Sequence, residues 1–226
     1  MIKAVIFDLF ETLITEWGHE KYTKRKISED LGLDYELFNQ YWEENAYGRY
    51  QGKVSFEESI QYVCKRCGVT LAPDQLAYVT GRRMSTKAAC FDCIDSEVIA
   101  LLQELKTHGI RLAILSNCSS EEVTTIRQSH LCSFFDTLVL SYEAGLSKPD
   151  LLIYRKVLEG LHLTAEECLF AGDGGSNELE GARAAGMAAV QAKWYTNRHP
   201  IKRDSMEGFG TAERPMELMD FITAPQ

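Results

Sequence analysis

The chain has 226 residues, of which 45% are apolar, 10% aromatic and 25% charged. Those proportions suit one large globular domain or two small ones, and they exclude a disordered chain, a collagen and a long coiled coil. With 33 acidic against 24 basic residues the net charge is −9, so neither nucleic acid nor an anionic membrane is an expected partner.

The chain opens on an apolar, β-branched run at 3–7, whose continuous hydrophobicity predicts a strand covered on both faces. Asp8 and Glu11 follow at once, so this N-terminus lacks the layout of a signal peptide. No later run approaches the ~20 apolar residues of a membrane helix. The expected compartment is the cytoplasm, where thiols stay reduced and seven cysteines are not a disulfide framework. Residues 15–92 contain no convincing strand and read as four helices, at 19–31, 35–47, 55–67 and 73–87, with breaks at 48–52 and 68–72.

Beyond 92 the rhythm changes. A helix at 97–107 carries Val98, Leu101, Leu102 and Leu105 on one face, and a strand follows at 111–115. Ser119 and Glu122 form a capping-box pattern opening a helix to about Gln128. Strands at 137–140, 168–171 and 188–191 alternate with helices at 151–161 and 178–185. A second capping box, Thr164 to Glu167, stands too close to the next strand to begin a long helix. Residues 194–210 read as a long surface loop and 212–222 as a closing helix. The alternation predicts an α/β protein: a Rossmann-like, doubly wound parallel sheet built from 1–14 and 93–226. The helical block 15–92 is expected above the carboxyl edge of that sheet, where open α/β sheets bind ligands.

Polar residues follow the strands in a telling order. Asp8 ends the first strand, where a carboxylate either caps a turn or stands in the ligand crevice. Ser116 and Asn117 end the second and can bind an anion or cap a helix. Lys148 precedes Pro149, which suits a first helical turn. Asp173 follows Gly172 after another strand, with Glu178 five residues on. Two carboxylates at strand ends could hold a hard cation such as Mg²⁺ together with a substrate phosphate.

In this order and spacing the chain resembles the haloacid dehalogenase superfamily, with Asp8–Thr12, Ser116, Lys148-Pro149 and Asp173/Glu178 matching its four motifs. The helical block resembles that family's C1-type cap. The resemblance implies a hydrolase that acts on a small anionic, phosphorylated molecule, with Asp8 as nucleophile forming an aspartyl-phosphate. It implies Mg²⁺ held by Asp8, the backbone carbonyl of Phe10 and Asp173, with Glu178 behind them. Ser116 and Lys148 would hold the transferred oxygens, with Glu11, Thr12 and Asn117 near the substrate.

One position departs from the phosphatase pattern. Two residues after the nucleophile, where most phosphatases of the family carry a second Asp as general acid, stands Phe10. Either the leaving group needs little help, or another residue serves, or the chemistry is that of a 2-haloacid dehalogenase or a phosphonatase, or the chain is a weak catalyst kept for binding. Between the second and third predicted helices, Arg49 and Lys53 could meet an anion and Tyr50 could stack on it. Trp17, Tyr22 and Trp42 either line the cleft or fill a core. Two CxxC pairs, Cys64/Cys67 and Cys90/Cys93, offer a zinc site in the cap as an alternative of another class.

Overall fold

The computed structural model describes residues 1–198 and 203–223. In chain order the elements are β1 (Ala4–Phe7), α1 (Lys24–Asp30), α2 (Tyr35–Glu44), α3 (Ala46–Tyr50), α4 (Phe56–Arg66), α5 (Pro73–Ala88) and α6 (Ser96–Thr107). Then come β2 (Arg111–Ser116), α7 (Ser120–Gln128), β3 (Thr137–Leu140), α8 (Ser141–Ala144), α9 (Leu151–Leu161), β4 (Cys168–Gly172) and α10 (Glu178–Ala184). The chain closes with β5 (Ala188–Ala192), β6 (Gly210–Ala212) and α11 (Asp220–Thr223).

The six strands form one sheet in the order β3-β2-β1-β4-β5-β6, and every neighbouring pair is parallel. Strands buried on both faces need apolar residues at successive positions, and β1 and β4 are buried throughout. Alternate side chains then serve opposite faces. Val5 and Phe7 join Leu112 and Ile114 against Leu101 and Leu105 of α6. Ala4 and Ile6 join Ala113 and Phe170 against Ile153 and Val157 of α9 and Leu179 of α10. The chain runs outward from β1 to β2 and β3, then returns to the other side of β1 for β4. The sheet therefore reverses its order between β1 and β4, which opens a crevice at their carboxyl ends.

Helices α1–α5 all lie between β1 and β2 and enclose an apolar cluster of their own, including Tyr22, Phe38, Trp42, Phe56, Ile60 and Val63. Tyr22 and Trp42 thus fill this interior. Ser55 and Glu58 form a reciprocal capping box that starts α4. Ionic contacts seat the layer on the sheet domain. Lys87 of α5 is 2.6 Å from Glu122 of α7 and also pairs with Glu16, while Arg83 Nε is 3.2 Å from Glu121. Burial and the adjacent Glu122 push the Glu121 carboxyl above the ordinary range. Gly52 marks the closest backbone approach: its φ is +66°, and a Cβ there would fall 2.1 Å from the Tyr142 carbonyl oxygen.

The structure differs from the sequence expectation in several places. The first helix starts at Lys24 because Thr23 caps it, its hydroxyl accepting the Lys26 N–H at 3.3 Å. The second ends at Glu44, with Asn45 as its cap, and a separate short helix runs through Gly48. Pro149 precedes α9 and lies outside it, since Asp150 is the cap, accepting the Leu152 N–H at 2.9 Å. Of the expected surface loop at 194–210, residues 199–202 lie outside the described residues, and its first part is no surface loop. Trp194, Tyr195 and Thr196 are buried, and Trp194 Nε1 donates to the Thr12 carbonyl at 2.8 Å. The closing segment contains β6 and a 3₁₀ turn at Pro215–Met219 before α11. Among the described residues no helix is long and apolar enough to cross a membrane.

Candidate active site

Asp8 leaves β1 at the crevice with its N–H donated to the Ala171 carbonyl of β4 at 2.9 Å, so the parallel ladder itself aims this residue. The turn that follows is tight. Glu11 takes φ +59°, and its carboxylate accepts the Thr15 hydroxyl at 2.6 Å and the Glu16 N–H at 3.0 Å. Thr12 is buried, with its hydroxyl 3.4 Å from Asp8 Oδ2.

The next strands bring the remaining groups. Lys148, 4% exposed, reaches Asp8 Oδ1 at 2.5 Å and also contacts Glu178 Oε2. Burial alone lowers an ammonium, but Asp8 and Glu178 outweigh it and hold Lys148 above its ordinary value. Asn117 fixes the lysine's backbone from both sides: its Oδ1 accepts the Lys148 N–H at 2.8 Å and its Nδ2 donates to the Lys148 carbonyl at 3.1 Å. Ser116 is fully buried at the end of β2, its hydroxyl 3.4 Å from the Asn117 carbonyl.

On the other side of β1, Asp173 and Glu178 frame the turn into α10. Glu178 Oε1 accepts the Gly174 N–H at 3.0 Å, and the Tyr154 hydroxyl donates to the Glu178 carbonyl at 2.9 Å. Gly172 is required beside it, since a Cβ there would fall 2.2 Å from Glu178 Oε1. Asp8, Asp173 and Glu178 each present a carboxylate oxygen within 4.8 Å of the others, and all three are buried. Burial, then the facing charge of Asp8, push the Asp173 carboxyl up to about 6. Burial and the same facing carboxylates hold Glu178 above the ordinary range as well. An all-oxygen, buried and under-neutralised donor set of this kind fits a hard divalent cation such as Mg²⁺.

A cleft of about 180 Å³ opens over this cluster and is bordered by Asp8, Phe10, Lys148, Asp173 and, from the helical layer, Tyr50. A neighbouring space of about 260 Å³ continues it past Tyr47, Tyr50 and Pro149. The Phe10 ring borders the cleft, with the Lys87 ammonium 4.8 Å from its centroid. Arg49 lies elsewhere. It is 5% exposed, donates to the Trp42 carbonyl at 2.7 Å and stacks 3.8 Å over the Trp42 ring, so Tyr50 is the α3 side chain at the cleft. The CxxC thiols do not converge: Cys64 and Cys67 pack in the helical layer, Cys90 packs against the sheet and Cys93 is exposed, and the carboxylate trio is the one metal-capable group found among the described residues.

Three participants escape the sequence reading. Arg203, in the segment before β6, places Nε 2.8 Å from Asp173 Oδ2. Lys87 stands over Phe10, and Tyr154 braces Glu178. Nothing adjacent in sequence marks Arg203 or Lys87. Tyr154 lies one helical turn beyond the cap of α9, which is the only local signal for it.

Comparison with known proteins agrees with this geometry. The family model of haloacid dehalogenase-like hydrolases matches residues 2–186, and the chain belongs to that family and is a hydrolase. It is 27% identical over 233 residues to a glyceraldehyde 3-phosphate phosphatase of Methanopyrus kandleri, covering 98% of this chain and 97% of the relative. Among solved structures it resembles a HAD phosphatase from Thermococcus onnurineus, with TM-score 0.66, 20% identity and 98% of both chains covered. It also resembles a 2-haloacid dehalogenase from Pseudomonas syringae pv. tomato DC3000, with TM-score 0.69, 18% identity and 98% of both chains covered. At such identities these two likenesses speak for the fold alone.

Proposed function

We propose that the protein is a Mg²⁺-dependent phosphatase that hydrolyses a small phosphorylated metabolite through an aspartyl-phosphate on Asp8. The observation that carries this reading is the buried convergence of Asp8, Asp173 and Glu178 around Lys148 at the switch between β1 and β4. The phosphatase name of the Methanopyrus relative supports it, and glyceraldehyde 3-phosphate is the first substrate to try.

Asp8, the Phe10 carbonyl and Asp173 would hold Mg²⁺, with Glu178 supporting them. The ion, when bound, supplies positive charge that offsets repulsion between a phosphate dianion and a carboxylate. Asp8 attacks phosphorus, the P–O bond to the leaving group breaks, and the leaving oxygen departs with the electron pair and takes any proton it needs from solvent. Lys148 and Ser116 steady the transferred oxygens, with Asn117 holding the lysine in place. Water then attacks phosphorus, gives a proton to solvent, breaks the bond to Asp8 and releases phosphate with the Asp8 carboxylate restored. Phe10 holds no proton, so an alkyl ester such as glyceraldehyde 3-phosphate should turn over slowly beside acyl and other phosphates with stable leaving groups. The helices between β1 and β2 act as the cap, with Tyr50 facing the substrate and Lys87 anchoring the cap over Phe10.

A panel of glyceraldehyde 3-phosphate, other phosphate esters and acyl phosphates, with Mg²⁺ and with EDTA, tests this reading beside Asp8→Asn and Phe10→Asp. Phosphate release that needs Mg²⁺ and disappears in Asp8→Asn supports it, and a gain in Phe10→Asp assigns the limit to the missing acid. Release that survives Asp8→Asn sinks it. The aromatic Phe10 favours dehalogenation as the second reading, and chloride release from 2-haloacids without Mg²⁺ would establish that instead.

A further inference from the structure

Both oxygens of Asp173 are engaged. Oδ1 accepts the Gly175 N–H at 3.0 Å, and Oδ2 faces Arg203 Nε at 2.8 Å. Arg203 is no freely swinging surface arm, because the backbone just beyond it is tied to the backbone of Asp173. Gln191, fully buried near the end of β5, makes that tie. Its Nε2 donates to the Asp173 carbonyl at 3.3 Å and to the Asp204 carbonyl at 3.1 Å, and its Oε1 accepts the Met206 N–H at 2.9 Å. Met206 also packs over Gly174, where a Cβ would fall 2.5 Å from its sulfur. The guanidinium is thus delivered to the carboxylate by a built support. Its side chain nevertheless stays 41% exposed, so it can leave Asp173 without crossing the core.

The charges at the site explain why it stands there. Lys148 lies between Asp8 and Glu178 and contacts both, which leaves Asp173 as the member of the trio that takes its cation from outside the motif residues. We propose that Arg203 is an internal counter-ion of Asp173 that a divalent cation displaces. Cation entry breaks the Arg203–Asp173 pair and turns the guanidinium into the mouth of the cleft, which Tyr50 and Glu11 also border. Two positive centres on one small carboxylate repel each other, and Arg203, unlike the buried Lys148 beside Asp8, has solvent to move into, so metal entry drives this pair apart. The inference rests on the metal site of the preceding reading and concerns its exchange equilibrium rather than the chemistry.

Linkage makes the test quantitative: whatever the pair contributes to the metal-free fold must reappear as a penalty on metal binding. The full chain is stripped of metal, and Mg²⁺ binding is measured by calorimetry for the native protein, Arg203→Gln and Arg203→Lys. Thermal unfolding is recorded without Mg²⁺ and at saturation. Arg203→Gln is expected to bind Mg²⁺ roughly three- to tenfold more tightly. It should unfold at lower temperature than the native protein without Mg²⁺, and at the same temperature when saturated. Arg203→Lys, which keeps the charge and loses the planar fork, should fall between the two. Unchanged or weaker binding in Arg203→Gln overturns the exchange, as does an equal loss of melting temperature in both states, or the absence of Mg²⁺ binding in native protein and variant alike. Phosphate release is scored separately: Mg²⁺ exchange without any hydrolysis would remove the phosphatase reading and leave this one standing.

Discussion

Replacing Lys148 with Met keeps the volume of a buried side chain and deletes the one cation placed between Asp8 and Glu178. In the native protein the ammonium lies 2.5 Å from Asp8 Oδ1 and also contacts Glu178. Without it, Asp8, Asp173 and Glu178 face one another with oxygens within 4.8 Å, and at an effective dielectric of about 20 each ionised pair repels by roughly 3.5 kcal/mol. Proton uptake limits the cost, because burial and the facing carboxylates already hold Asp173 and Glu178 above the ordinary range. The sign follows from those shifts. A carboxyl whose folded value is raised stabilises the fold below its unfolded value, and that stability is lost as pH rises through the folded one. Lys148→Met should therefore lose about 3–5 kcal/mol near pH 8, and clearly less near pH 5, where the trio takes up protons. Saturating Mg²⁺ should recover part of the loss near pH 8. Urea denaturation of metal-free and Mg²⁺-loaded protein at both pH values measures each quantity. A loss under about 1 kcal/mol near pH 8, or one equal at both pH values, would refute the reasoning, because the carboxylates would then not be under mutual strain.

Protons should compete with Mg²⁺ from about pH 6 downward, since Asp173 titrates at about 6. Calorimetry should show the affinity falling by up to about tenfold per pH unit below that point and levelling above it. Lys87→Met leaves Glu122 buried beside Glu16 without its cation and should cost about 3–5 kcal/mol in chemical denaturation. Adding Glu122→Gln should return part of that cost; no recovery would mean that the methylene packing of Lys87, and not its charge, holds α5 to α7. Trp194→Phe strands the buried Thr12 carbonyl and should cost about 1–3 kcal/mol, read from the same denaturation curves.

Much of the candidate site was legible because it is local to strand ends. Once β1, β2 and β4 run parallel, the residue after each must emerge at the same edge, so Asp8, Ser116-Asn117 and Asp173 come together. Glycine and spacing carried the same information for Glu178, which needs Gly172 to have no side chain. Continuous apolar runs likewise marked five strands, since burial on both faces leaves no room for alternation. The short β6 gave no such signal: three residues, Gly210–Ala212, are paired only along the edge of the sheet.

Other features belong to the tertiary structure alone. Arg49 and Tyr50 are neighbours on one helix, and composition treats the arginine as the better partner for an anion. Packing decided otherwise: Trp42 offers the guanidinium a ring face and a carbonyl inside the helical layer, and the tyrosine is left at the cleft. Arg203 sits in a stretch that reads as a surface loop, and Lys87 ends a predicted helix with nothing beside it to mark a partner. They reach Asp173 and Phe10 only because the segment before β6 folds back onto Gln191 and because α5 docks on α7. A strand places the residue that follows it by backbone geometry, which sequence periodicity reveals. A long charged side chain is placed by whichever buried partner the finished fold offers, and that partner is remote in sequence.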